Sequence, residues 1–380
     1  MPIRRNIHIM YAISLLQGMV FYAPIATLYR QNAGLGVFEI TLIESISLVI
    51  SISLELPWGI LADRIGYKKS MIACCGLWFA SKLVFWQADS FGMFLLERVL
   101  LGVVLAGLSG LDQSILYCSV DEENAQSVFG VYGNLGTAGV LIAAAVYSFL
   151  IGDNYRLAGF LTAVSYGAAA LLSLGLKEVK SARAGQRSTM DSFSGAVRGL
   201  IGNRNLLMLV IGCALLAEVN QTITVFLNQL QYVRCGMTAV TIGVVYIGVT
   251  LLELTGGLSA RLTKRFGAKR MGVWIFIGCA MACLMLAGTN SAWLSVASIA
   301  LIHGCASLLW PLKSDLVNKS IDTPDRVTAL SVTQLLADGI AIGTNLIFGR
   351  LSDASLPSAM LFGAVLSSAG FVLFLKSQKN

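Results

Sequence analysis

The chain has 380 residues, 56% hydrophobic and 12% charged, with a formal net charge of +7. Soluble domains average about 25% charged residues, and one or two soluble cores cannot bury this much apolar surface in a chain of this length. A soluble enzyme or regulator is therefore excluded, and lipid is the solvent that fits.

A helix rises about 1.5 Å per residue and crosses about 30 Å of hydrocarbon in about 20 residues. In chain order, the apolar runs predict spans at 7–29, 39–62, 69–89, 93–118, 127–151 and 157–177, then 206–231, 239–262, 269–288, 292–316, 326–349 and 357–377. A β-barrel strand alternates in polarity over about ten residues, and runs such as 299–309 do not alternate. The expected architecture is an all-α membrane protein of twelve transmembrane helices. Arg4 and Arg5 precede the first run and read as a start-transfer anchor, with no cleavable signal.

Basic residues set the orientation. With the N-terminus in the cytoplasm, twenty of the 27 Lys and Arg fall on the inner side and Arg30, Arg156, Arg234 and Arg350 in outer loops. Lys82, Arg98 and Lys313 fall inside spans. That asymmetry is the positive-inside rule and predicts both termini in the cytoplasm of a plasma (inner) membrane. It accounts for the positive charge through anionic lipid, with no nucleic-acid partner. Of the eight cysteines only Cys235 stands in a loop, and no pair has metal-finger spacing; no metal site is expected, and Cys279 and Cys283 read as small buried thiols.

The longest polar stretch divides the chain into an N-terminal six-helix bundle at 1–177, a cytoplasmic linker at 178–205 with an interfacial helix around Phe193–Leu200, and a C-terminal bundle at 206–380. The halves echo each other. Glu55-Leu-Pro-Trp-Gly-Ile-Leu-Ala62 matches Glu253-Leu-Thr-Gly-Gly-Leu-Ser-Ala260 at an offset of 198, and Asp63-Arg-Ile-Gly-Tyr-Lys-Lys69 matches Lys264-Arg-Phe-Gly-Ala-Lys-Arg270 at 201. Parallel six-span repeats are one plan on which secondary transporters are built.

The stretch Gly59-Ile-Leu-Ala-Asp-Arg-Ile-Gly-Tyr-Lys-Lys69 resembles the loop signature of the major facilitator superfamily, G-x-L-a-D-r-x-G-r-k-k, with Tyr67 where a basic residue is usual. The resemblance implies two six-helix pseudo-repeats around a central cavity lined by spans 1, 4, 7 and 10. It also implies a gating role for this loop: Gly59 and Gly66 shape it, Asp63 resembles the gate residue, and Arg64, Lys68 and Lys69 resemble its charge-relay partners. Arg98-Val-Leu-Leu-Gly102 resembles the family's R-x-x-x-G element. Gly133-Asn-Leu-Gly-Thr-Ala-Gly139 has the glycine spacing of the antiporter signature without its Gly-Pro step, a departure from drug:proton exporters.

Ionisable groups inside hydrocarbon are costly, so each calls for a function or a partner. Helical phase groups Glu218, Gln221, Thr222, Asn228 and Gln229 in span 7; His303, Ser307, Trp310 and Ser314 in span 10; and Ser331, Gln334, Asp338 and Asn345 in span 11. Span 1 offers Tyr11, Ser14, Gln17 and Phe21, and span 4 runs from Arg98 to Asp112 and Gln113. Glu218 and Asp338, near the midplane, are candidate proton carriers, with His303 and Asp112 beside them in that role. Gln17, Phe21, Tyr22, Gln113, Gln221, Trp310 and Gln334 are candidate substrate contacts, their rings suited to an organic body. Glu44, Lys82 and Arg98, with Glu97 beside them, lie level in the outer half and read as a structural charge cluster.

Together these features point to a secondary active transporter of a small organic solute, proton-coupled and monomeric, with lipid around it and no cofactor. A uniporter and a receptor or scaffold on the same fold are the alternatives. No G-x-x-x-x-G-K-[ST] loop is present, and a membrane enzyme would have only His8 and His303 as histidines.

Overall fold

The computed structural model describes residues 4–120, 124–179, 190–321 and 326–378, and within them not the side chains of 56, 63, 190–193, 253–254 and 326–327. Lys180, Arg183, Arg187 and Ser188 of the linker, and the side chains of Asp63 and Glu253, thus lie outside the described residues.

Among the described residues every regular element is a helix. The first span is α1 (Arg4–Gly18) and α2 (Ala26–Asn32), separated by an unwound stretch and the short turn Ala23–Ile25. Then come α3 (Val37–Ile65) and α4 (Tyr67–Gln87). The fourth span, α5 (Phe91–Leu108) and α6 (Leu111–Tyr117), breaks at Gly110, whose φ of 74° suits glycine. Next are α7 (Ala125–Val146), which ends in the wide turn Tyr147–Ile151, α8 (Tyr155–Ser173) and the linker helix α9 (Met190–Gly202). The seventh span joins α10 (Arg204–Gln221) to α11 (Asn228–Arg234) through the wide turn Thr222–Leu227. The eighth joins α12 (Ala239–Leu251) to α13 (Ser259–Phe266) through the tight turns of Leu252–Leu258. The last four are α14 (Ala268–Gly288), α15 (Ala292–Ser320), α16 (Arg326–Ala354) and α17 (Leu356–Ser377).

Among the described residues eleven helical segments are long and apolar enough to cross a membrane. The one predicted span not among them is α4, which has 21 residues but carries Lys68, Lys69 and Lys82.

Local sequence explains several helix ends. Asn154, Asn203 and Ser355 accept hydrogen bonds from the backbone N–H three residues on, at 3.0, 3.0 and 3.2 Å, and so cap α8, α10 and α17. The repeated loop has one geometry in both copies. Gly66 (φ 94°, ψ 152°) separates α3 from α4, and Gly267 (φ 84°, ψ 146°) separates α13 from α14. Each glycine donates backward, to Ala62 and Thr263, and accepts forward, from Ser70 and Met271. Other residues adopt that positive φ only with strain.

The helices cluster as two units. One comprises Met1–Leu35, Ile46–Gln186 and Ala239–Ile247; the other comprises Gly36–Ser45, Arg187–Thr238 and Gly248–Asn380. In the first, α1 packs on α7 and α8, and α4 on α5 and α8. The α1–α7 crossing is close: a Cβ on Gly18 would collide with the Gly136 carbonyl, and one on Gly139 with the Leu15 carbonyl. Small residues at crossings are how membrane helices gain contact, so the glycine spacing of span 5 has a packing explanation. In the second unit, α17 packs along α14 and α10, and α10 also meets α15 and α16. Ala196 and Leu200, one turn apart, are the buried face of α9, which lies against α16.

Candidate functional site

In the first unit the unwound stretch of span 1 is tied down by α8. Backbone groups at membrane depth must be satisfied within the protein, and three hydroxyls on one face of α8 do this. Thr162 accepts from the Phe21 N–H at 3.0 Å, Ser165 donates to the Leu16 carbonyl at 2.6 Å, and Tyr166 donates to the Gln17 carbonyl at 2.7 Å. The Gln17 side chain stays half-buried, its Nε2 donating to Cys75 Sγ at 3.6 Å. Beyond the break, Phe21 and Tyr22 are buried. Tyr22 stacks on Phe85 with centroids 3.9 Å apart, and its hydroxyl accepts from Lys82 Nζ at 3.0 Å.

Tyr22 thus belongs to a buried ionic cluster centred on Glu97, which is 0% exposed. Lys82 Nζ lies 3.3 Å from Glu97 Oε1, Arg98 Nε 3.4 Å from Oε2, and Arg30 NH2 4.0 Å from Oε2. The Arg30 guanidinium also lies 5.3 Å from the Phe85 ring centre and 5.9 Å from that of Phe94. One expectation needs correction. Arg30, assigned to an outer loop, is 1% exposed in the last turn of α2. Counting fixes depth along a helix, not the neighbour it faces.

Arg98 and Gly102 of the R-x-x-x-G element have separate tasks here: Arg98 pairs with Glu97, and Gly102 lets α5 approach α3, since a Cβ on it would stand 2.7 Å from the Ser47 carbonyl. At the far end of that span, Asp112 accepts from the Gln113 N–H at 2.7 Å and from the Tyr132 hydroxyl at 3.3 Å. Gln113 is exposed and lines a cleft with Tyr67, Gly110, Ser114, Tyr117, Cys118 and Phe129. In the signature loop, Gly59 has open space around it, Arg64 and Lys69 are exposed, and Lys68 is half-buried. Glu178, which carries no signal in the sequence pattern, abuts Gly66 and accepts from the Lys68 N–H at 3.1 Å, capping α4.

In the second unit, the polar residues of spans 7 and 11 meet. Thr222 donates to Asn345 Oδ1 at 3.1 Å, joining the wide turn after α10 to α16. Glu218, one turn before Thr222, is half-buried; its Oε2 is buried with no hydrogen-bond partner, and the carboxylate lies within electrostatic range of Asp338 and Glu44. Gln334 Nε2 donates to Asp338 Oδ1 at 2.8 Å. Gln221 and Gln334 are exposed. On α15, His303 is half-buried and Trp310 is 66% exposed, with Lys313 Nζ 5.5 Å from its ring centre. Asn228 and Gln229, on the same predicted stripe as Glu218, are buried.

No curated protein matches the chain in sequence. Among solved structures, a mutant form of the nucleoside transporter NupG superposes with a TM-score of 0.84 at 17% identity, covering 98% of this chain and 100% of that one. The D-xylose-proton symporter gives 0.78 at 13% identity, covering 100% and 98%. A bacterial homolog of the human lysosomal transporter Spinster gives 0.71 at 17% identity, covering 98% and 94%. At these identities the likeness is one of fold. A sequence profile described as Major Facilitator Superfamily matches residues 7–344, nearly the whole chain, and the chain belongs to that superfamily.

Proposed function

We propose that this multi-pass membrane protein is a secondary active transporter that moves a small organic solute by alternating access, coupled to protons through Glu218 and Asp338. The observation that carries the proposal is the Glu218 carboxylate: inside a span, with one oxygen buried and unbonded, and with Asp338 and Glu44 as its charged neighbours. A carboxylate at that depth is tolerated when hydrated or protonated, and a group that is wet in one state and drier in another takes up and releases a proton between them. Asp338, held by Gln334, is the second member of the pair. Exposed Gln221, Gln334 and Trp310 of the second unit supply hydrogen bonds and ring surface to the solute. Asp63 with Arg64, Lys68 and Lys69 gates the cycle from the signature loop, and both termini are cytoplasmic.

The test uses proteoliposomes loaded with a pH dye and challenged with uridine, D-xylose, an amphipathic organic cation and a wider metabolite panel. Wild-type protein moves protons on addition of its solute and accumulates that solute under an imposed pH gradient. Glu218→Gln and Asp338→Asn lose the accumulation and keep passive exchange. If both variants accumulate solute with the wild-type response to pH, these carboxylates are structural.

A further inference from the structure

The two units divide α3: its first turns belong to Gly36–Ser45 in the second unit, and Ile46 onward packs in the first. A helix leaves its first N–H groups without intrahelical acceptors and carries partial positive charge at that end. The residue before α3 is Gly36, which has no side chain to cap them. Asp353, in the last turn of α16, does so from 316 residues away: its Oδ1 accepts from the Val37 N–H at 2.9 Å and its Oδ2 from the Phe38 N–H at 3.2 Å. Glu39 Oε2 takes the Gly36 N–H at 2.9 Å.

The side chains around this cap are fitted to it. The Arg350 guanidinium stands 3.8 Å from the Phe38 ring centre. Thr41 and Phe38 press on Gly349, where a Cβ would collide with Thr41 Oγ1 and lie 2.9 Å from Phe38 Cα. One turn on, the Ser45 hydroxyl lies 3.4 Å from the Ile342 carbonyl. The contact therefore follows one face of α16 from Ile342 to Asp353, with the charge-assisted bonds at the helix end.

We propose that Asp353 is a latch. While its carboxylate holds the α3 N-terminus, residues 36–45 stay with α16; breaking those two bonds frees this end of α3, and the transport cycle passes through that release. The cycle is the alternating-access one proposed above. The latch itself is measurable without any solute.

Full-length protein in lipid nanodiscs carries Val37→Cys, a position 5% exposed in the latched arrangement. It is labelled with a membrane-impermeant maleimide, with the site resolved by mass spectrometry, and the Val37 and Phe38 amides are followed in parallel by hydrogen exchange. Asp353→Asn keeps the side chain's shape and removes its charge; labelling and exchange are expected to rise at least tenfold while α14 and α17 peptides exchange at wild-type rates. Gly349→Ala crowds the same seat without touching the carboxylate and is expected to raise labelling at least fivefold. Folded Asp353→Asn protein at wild-type rates overturns the latch. Should that variant not fold, Gly349→Ala protein at wild-type rates overturns it equally. Raised rates together with absent solute-linked proton flux keep the latch and reject the transporter proposal.

Discussion

Replacing Glu97 by Gln tests whether the ionic cluster of the first unit is sealed from water. Glu97 is the carboxylate shared by Lys82, Arg98 and Arg30, with side-chain exposures of 1% for Glu97, 6% for Lys82, 15% for Arg98 and 1% for Arg30. At 3.3 Å and an effective dielectric of about 20, the Lys82 attraction alone is about 5 kcal/mol. Desolvation offsets much of that while the cluster is whole. It is not offset when one partner goes, and removing one member of a buried pair costs about 3–5 kcal/mol. Glu97→Gln preserves shape and leaves three cations facing one another. At about 2–4 °C per kcal/mol for chains of 150–250 residues, the unfolding midpoint should fall by on the order of 10 °C. Intrinsic tryptophan fluorescence in nanodiscs reports it, because Trp78 packs edge-on against Tyr166 beside the cluster. Lys82→Met in the Glu97→Gln background should restore part of the loss by removing one uncompensated charge. A midpoint within 2 °C of wild type for Glu97→Gln would mean that water reaches these groups, and the sealed cluster would be refuted.

Two further tests follow from the packing and the charge pattern. Gly139→Val forces two methyl groups and a Cβ against the Leu15 carbonyl and Gly18; overpacking of this kind costs about 1–3 kcal/mol, read as a lower unfolding midpoint, and an unchanged midpoint would show that α1 moves aside freely. Cysteines placed at 186 and 266 should resist an impermeant reagent in whole cells while one at 154 labels, and labelling at 186 from outside would reverse the orientation drawn from the basic residues.

The repeated loop was legible in the sequence because its geometry is local. A positive-φ glycine between two helices needs only its own neighbours, and Gly66 and Gly267 sit in matching turns at the offset of 201 that the residues themselves show. Glu97 was legible as a member of the charge cluster by its depth, but not as the group at its centre, and Asp353 and Glu178 were not legible as caps. Each acts on residues of another helix, in the case of Asp353 on an N–H 316 positions away, and one chain's periodicity does not say which helix lies opposite. The Thr162, Ser165 and Tyr166 hydroxyls show the same limit: their spacing marks one face of α8, but their task is set by a break in span 1.

That break also sets how far a face can be read. Periodicity assumes about 100° of turn per residue, and each irregular stretch resets the phase. Gln17 precedes the unwound stretch of span 1 and keeps a partly open amide, whereas Phe21 and Tyr22, on or beside the same extrapolated stripe, come after the helix has ended and turn into the first unit's interior. Span 7 repeats the pattern. Glu218 and Gln221 precede the wide turn Thr222–Leu227 and remain half-buried and exposed, while Asn228 and Gln229, beyond it, are buried. A residue's predicted face is therefore sound only up to the first break. In both spans the residues before the break, Gln17 in one and Glu218 with Gln221 in the other, keep side chains that are partly or fully exposed, as the proposed transport role requires.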